Sequence, residues 1–145
     1  MDGFQVLTDK SKLNMEMIHK YLSQESYWAR GRSLKDVQTS VDASHCYGGF
    51  LNDRQIAFAR LVTDFVTFAW LADVFVLPEY QGNGYAKKLL QTVIRDPKLA
   101  SIPTVLLRTL DAHGLYRKFD FELLERPEMF MLCNLQGQRL GDGVF

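Results

Sequence analysis

The segment Val74-Phe75-Val76-Leu77-Pro78-Glu79-Tyr80-Gln81-Gly82-Asn83-Gly84-Tyr85-Ala86 places two glycines between an apolar run and a helical pattern. Main-chain N–H groups in a helix's first turn have no partner inside the helix, and its dipole is positive there. Such a turn binds phosphate. Gly82 and Gly84 let the backbone approach an anion closely, and Ala86 keeps the first turn narrow. The alternative is a plain strand-to-helix connection with two turn glycines. Other phosphate loops fit less well. No Gly-x-x-x-x-Gly-Lys-Ser/Thr occurs. A dinucleotide fingerprint needs a third glycine where Lys87 stands, and Pro78 to Gln81 lengthen the turn.

The remaining chemistry-bearing residues are sparse. Cys46 and Cys133 are the two cysteines, and their separation matches no close-spaced zinc pattern, so no metal is expected. Cys46 reads as a small buried thiol. His45 opens a strand and is positioned to reach a cleft, whereas His113 reads as a solvated helix residue. Lys+Arg and Asp+Glu each number 17. That balance argues against a broad nucleic-acid surface, which usually shows as a basic excess. The start of the chain lacks a signal-peptide pattern, and the run Phe65 to Val76 is too short to span a bilayer. A reduced, cytoplasmic protein with no membrane contact is expected. At 145 residues and 47% hydrophobic content, one domain over 1–145 with a single core is expected.

The elements that must position the glycine turn follow from periodicity. Phe4 to Thr8 reads as a strand. Asp9 or Ser11 caps a helix carrying Leu13, Met17, Ile18, Tyr21 and Leu22. After a break at Ser26 to Gly31, Ser33 caps a second helix. Cys46 to Leu51 and Gln55 to Val62 are strands joined at Asn52-Asp53-Arg54. Phe65 to Leu77 is a long central strand, apolar on both faces but for Thr67 and Asp73. Ala86, Leu89, Leu90, Val93 and Ile94 mark the helix after the glycine turn. Thr104 to Thr109 is a strand, Ala112 to Lys118 a short helix, and Phe121–Leu124 and Met129–Leu135 the last strands. The expectation is a mixed α/β (α+β) fold: a mostly antiparallel sheet of about seven strands with helices on both faces. Pairing through the final strand makes a homodimer a possible assembly.

Gln81-Gly82-Asn83-Gly84-Tyr85-Ala86 resembles the Gln/Arg-x-x-Gly-x-Gly/Ala motif of the GNAT superfamily of acetyl-CoA-dependent N-acetyltransferases. Ala112-His113-Gly114-Leu115-Tyr116-Arg117-Lys118-Phe119-Asp120-Phe121 is similar to that family's Ala-x-x-x-Tyr-x-Lys-x-Gly-Phe element. The element order matches over nearly the whole chain. Asp120 stands where the family usually has Gly, and Thr109 where it often has a coenzyme-contacting Asn.

The resemblance implies the following roles. Main-chain N–H groups of Gly82, Asn83, Gly84, Tyr85, Ala86 and Lys87, after Gln81, would cradle the pyrophosphate of acetyl-CoA. Val76 would pair with the pantetheine, and the Val74 N–H would stabilise charge on the thioester oxygen. Tyr116 would protonate the departing thiolate. The residues themselves, not the resemblance, single out Asp73: isolated in an apolar strand beside Val74, it is the candidate proton acceptor, with a structural hydrogen-bonding role as its alternative. The loop Tyr27-Trp28-Ala29-Arg30-Gly31-Arg32 would wall the acceptor pocket, with Tyr27, Trp28 and Arg30 as candidate contacts. The implied reaction is acetyl transfer to a primary amine, of a small molecule or a protein. A non-catalytic acyl-CoA-binding sensor or interaction module would need the same glycine turn.

Overall fold

A computed structural model describes residues 3–137. Its sheet has five strands in sequential order: β1 (Phe4–Leu7), β2 (His45–Leu51), β3 (Arg54–Thr63), β4 (Ala69–Val76) and β5 (Val105–Leu107). β1 to β4 are antiparallel neighbours, and β5 runs parallel to β4. The helices are α1 (Met15–Lys20), α2 (Leu34–Asp42), α3 (Tyr85–Ile94) and α4 (His113–Arg117).

Local chemistry explains the boundaries. Ser33 accepts the N–H of Asp36 and starts α2, as its type predicts. Asp9 caps only a short 3-10 turn, and Asn14 caps α1 by accepting from Met17. Tyr21 and Leu22 belong to a π-helical turn after α1 rather than to an α-helix. The hairpin between β2 and β3 turns at Asn52, whose φ is 54°, a left-handed value that Asn tolerates. Helices cover both sides of the sheet. Gly48 sits so close to Leu13, just before α1, that a Cβ there would lie 2.8 Å from its Cδ2. On the opposite side the Phe4 ring packs 4.8 Å from Tyr85 of α3.

Three expectations are corrected. The long strand from Phe65 begins only at Ala69, because Asp64 accepts the N–H groups of Val66 and Thr67 and closes a turn. The strand from Thr104 shrinks to Val105–Leu107. Phe121–Leu124 and Met129–Leu135 join no ladder, so the described sheet has five strands rather than about seven. β5 offers only three residues to pair with, and Pro127 opens a 3-10 turn.

Two irregularities at β4 prepare the site. Phe58 pairs with Phe75 but Arg60 with Ala72, so one residue of β3 faces two of β4, Asp73 and Val74. This is a β-bulge, and Asp73 occupies it at φ 54°. Pairing of β4 with β5 also stops at Leu71–Leu107, so Ala72 to Val76 run on without β5.

Candidate active site

At the end of β4 the chain turns through Pro78–Tyr80 and enters α3 at Gly84. Polar side chains in this turn bond inward. Gln81 Nε2 donates to the Val76 carbonyl at 2.9 Å, and Asn83 Nδ2 donates to the carbonyls of Tyr80 and Gln81. Gly82 and Gly84 take φ values of 82° and 83°, in the region where only glycine is free of strain. Gly84 brings no side chain to cap α3. Among the described residues, the main-chain N–H groups of Gly82 to Lys87 donate to no protein acceptor. A ten-residue helix thus presents bare donors at its positive end.

Beside this junction lies a cleft of about 670 Å³. One wall is β4 from Trp70 to Val76, continuing to Gln81 and Ala86. The facing wall comes from Arg108 to Ala112 with Leu115 and Tyr116, and one end from Tyr21 and the segment through Trp28. The parting of β4 and β5 opens this space. Tyr27 ties the end of the cleft to the facing wall, its hydroxyl accepting the Leu110 N–H at 2.9 Å. Of the expected site residues, Asp73, Val74, Val76, Gln81, Ala86, Tyr116, Tyr27 and Trp28 line the cleft. Gly82, Asn83, Gly84, Tyr85 and Lys87 lie outside its lining, and Arg30 is exposed away from it.

Asp73 is held more tightly than an isolated carboxylate. Its Oδ1 accepts the Trp28 indole N–H at 2.8 Å. Its Oδ2 accepts Arg32 Nη1 at 2.9 Å and Arg60 Nε at 2.8 Å. Arg60 reaches on to the Ser44 hydroxyl at 3.1 Å. The Asp73 side chain is 2% exposed. Arg32, not Arg30, is the arginine of the acceptor loop that meets the strand. Nothing in residue type separates the two; the left-handed Gly31 between them (φ 77°) redirects the chain.

Tyr116 reaches the cleft from α4, with its ring 5.7 Å from Phe121. Burial, followed by the influence of Tyr27 and Asp111, pushes its phenol up to about 12. Its hydroxyl donates to no protein acceptor among the described residues. A proton is therefore held firmly on an uncommitted oxygen inside the cleft.

The model of the acetyltransferase (GNAT) family matches residues 15–121. The chain belongs to that family. A candidate acetyltransferase of Gibberella zeae is 30% identical over 137 residues, covering 79% of this chain and 76% of that one. Among solved structures, a Xanthomonas campestris pv. campestris protein described as belonging to the GNAT family aligns with a TM-score of 0.89. It is 43% identical, and the match covers 99% of this chain and 96% of that one. A GNAT family acetyltransferase from Elizabethkingia anophelis with acetyl-CoA bound shares the fold at a TM-score of 0.65 and 18% identity, covering 86% and 80%.

The two departures from the GNAT motifs have structural explanations. Asp120 takes φ 67°, a glycine-like value that Asp also adopts. Thr109 turns its hydroxyl to the Ala112 N–H at 3.0 Å, ahead of α4.

His45 does not line the large cleft. With Tyr47 it holds Asp96 beside a second cleft of about 440 Å³. Tyr47 donates its hydroxyl to Asp96 Oδ2 at 2.7 Å, and His45 Nε2 lies 3.0 Å from the same oxygen. Burial pushes the Cys46 thiol up to about 11, so this buried cysteine stays protonated. Among the described residues no cluster of three His, Cys, Asp or Glu is placed to hold a metal. No helix among them is long and apolar enough to cross a membrane.

Proposed function

We propose that this protein transfers an acetyl group from acetyl-CoA to a primary amine. The carrying observation is the row of N–H groups from Gly82 to Lys87 without a partner among the described residues, placed where β4 has lost its parallel neighbour. These amides suit a pyrophosphate, whose charge the α3 dipole favours. The fit does not depend on surface lysines, since the donors are main-chain groups fixed by Gln81 and Asn83. The coenzyme, when bound, supplies the thioester.

The chain's own residues then have defined tasks. The β4 backbone at Val74 and Val76 aligns the pantetheine arm along the cleft wall. The N–H of Val74, one of the two bulge residues, donates to the thioester oxygen as negative charge grows there. Tyr116 holds a proton for the departing sulfur. Tyr27 and Trp28 wall the acceptor end, while Arg30 stays at the surface. An alkyl amine is neutral in only about one part in 10³ at pH 7, and attack belongs to that fraction; as the C–N bond forms and the C–S bond breaks, the proton shed by the nitrogen replaces the one that Tyr116 gives to sulfur.

Asp73 was the expected proton acceptor. Its two oxygens already accept three hydrogen bonds, two from guanidinium groups. That arrangement supports a positioning role: Asp73 fixes the bulge and ties the acceptor loop to β4.

Calorimetric titration with coenzyme A, followed by a coenzyme-release assay over an amine library, tests the proposal. Binding with 1:1 stoichiometry and turnover on at least one amine is the expected result. Binding without turnover on any amine would leave an acyl-CoA-binding module, and no binding would end both readings.

A further inference from the structure

We propose that the acceptor is a short aliphatic diamine, held by its far ammonium against the Glu25 and Asp111 carboxylates while its near amine meets the thioester. This rests on the acetyl-transfer reading above and adds what the other end of the acceptor carries. Glu25 lines the end of the large cleft, from the segment after α1, and Asp111 lines the facing wall. The two segments are joined there, because Tyr27 accepts the N–H of Leu110, the residue before Asp111. Neither carboxylate is in an ion pair among the described residues. Their charge is felt inside the cleft. After burial, Glu25 and then Asp111 push the Tyr21 phenol upward, and Asp111 acts on the Tyr116 phenol as well.

The nearby arginines do not turn this end toward an anionic acceptor. Arg32 and Arg60 are committed to Asp73. Arg30 is exposed away from the cleft, and Arg108, which lines it, is itself engaged. The aromatic rings complete the wall. Tyr21 and Tyr27 lie 6.4 Å and 5.1 Å from Trp28, centroid to centroid. Carboxylates beside aromatic rings hold an ammonium by charge and by cation–π attraction.

Size and reactivity point the same way. The cleft encloses about 670 Å³, a small-ligand volume, and the pantetheine arm takes part of it. The space left suits a short unbranched chain. Asp73 already accepts three hydrogen bonds, so loss of the amine proton needs another aid. A like charge close by disfavours an ammonium, so the far ammonium raises the neutral fraction of the near amine. That nitrogen takes the acetyl group and becomes an amide, the coenzyme leaves as its thiol, and the far ammonium is unchanged.

Steady-state kinetics with 1,4-diaminobutane, butylamine and 4-aminobutanoate tests this, because these acceptors share a chain length and differ at the far end. The expected kcat/KM is about tenfold higher for the diamine than for butylamine, a difference of about 1.4 kcal/mol, and lowest for 4-aminobutanoate. The double variant Glu25→Gln/Asp111→Asn is expected to bring the diamine-to-butylamine ratio near one, through a higher KM for the diamine. A second reading needs no turnover. Trp28 and Trp70 are the two tryptophans of the chain and both line the cleft, so tryptophan fluorescence follows diamine binding, which the double variant should weaken about tenfold. Butylamine turned over as well as the diamine, or a ratio unchanged in the double variant, overturns the proposal and leaves acetyl transfer standing. So does turnover confined to a lysine-containing peptide, which would put the acceptor on a protein. Turnover on no amine at all overturns both readings.

Discussion

The glycine junction and the Asp73 cluster are neighbours along the chain, yet they treat their hydrogen-bonding groups in opposite ways. At the junction, the side chains of Gln81 and Asn83 stitch the loop, and the amides of Gly82 to Lys87 are left open. Around Asp73 every carboxylate oxygen is engaged, by Trp28, Arg32 and Arg60. The first region is prepared for a ligand, the second for holding shape. An acid that interrupts an apolar strand therefore does not by itself mark a proton acceptor. The donors already gathered on it decide.

Replacing Asp73 with Asn breaks the closed region and carries the largest expected effect. Two largely buried guanidinium groups would then face a neutral amide. Removing one member of a buried ion pair costs about 3–5 kcal/mol, to be read from urea unfolding. Coenzyme affinity is expected to stay near wild type in whatever fraction remains folded. A variant of unchanged stability whose kcat collapses would instead return Asp73 to the role of proton acceptor.

Tyr116→Phe probes the open cleft without disturbing either network. Loss of a positioned acid typically lowers kcat about 10²-fold, and KM for the coenzyme is expected to hold. Because burial lifts this phenol to about 12, its ionisation adds no alkaline limb to the rate profile below about pH 10, the ordinary tyrosine range. The same shift has a stability consequence. Below that range the phenol is protonated in both states. As pH rises from there through 12, the unfolded chain ionises first and the fold loses stability. Tyr116→Phe should remove that part of the alkaline loss.

How much of this was legible from residues alone differs between the two regions. The glycine junction was readable because its chemistry is local: two glycines, a strand end and a helical pattern lie within one short segment. The cap at Ser33 was readable for the same reason. The Asp73 cluster was not, since its partners come from the loop after α1 and from β3. The bulge and the sheet register bring Arg60 onto that carboxylate, and the fold of the loop before α2 brings Arg32. Arg30 was expected at the site and Arg32 serves there. The segments 121–124 and 129–135 join no ladder although their residues suit strands, because an apolar run shows a capacity to pair, not the presence of a partner edge.

Gly84→Ala breaks the open region more gently. A side chain at φ 83° costs about 1–2 kcal/mol in the left-handed region. If the cap unwinds to relieve that strain, coenzyme affinity falls about tenfold, since 1.4 kcal/mol is one decade. Titration calorimetry reads this directly. Gly82→Ala is the companion measurement, because no atom of the described residues lies within 4 Å of its added Cβ. A larger affinity loss at Gly82 than at Gly84 would place the anion over the loop rather than over the helix start.

Asp96 sharpens the comparison from the other cleft and carries the smallest effect. It too collects three donors, but they are Tyr47, His45 and the Lys98 N–H in place of two guanidinium groups. Burial pushes its carboxyl up, yet the hydrogen bonds from His45, the Lys98 N–H and Tyr47 outweigh it and hold the carboxyl below its ordinary value. A depressed carboxyl stabilises the fold above the ordinary carboxylate range, and that stability is lost as pH falls through the folded value. Asp96→Asn should therefore flatten the acid side of the stability profile, at a cost near neutral pH of about 1 kcal/mol, the net worth of a typical hydrogen bond. Coenzyme binding should not change, because Asp96 lines the second cleft and not the one beside the glycine junction. A loss as large as that of Asp73→Asn would mean that the number of donors, and not their charge, sets the strength of such a cluster.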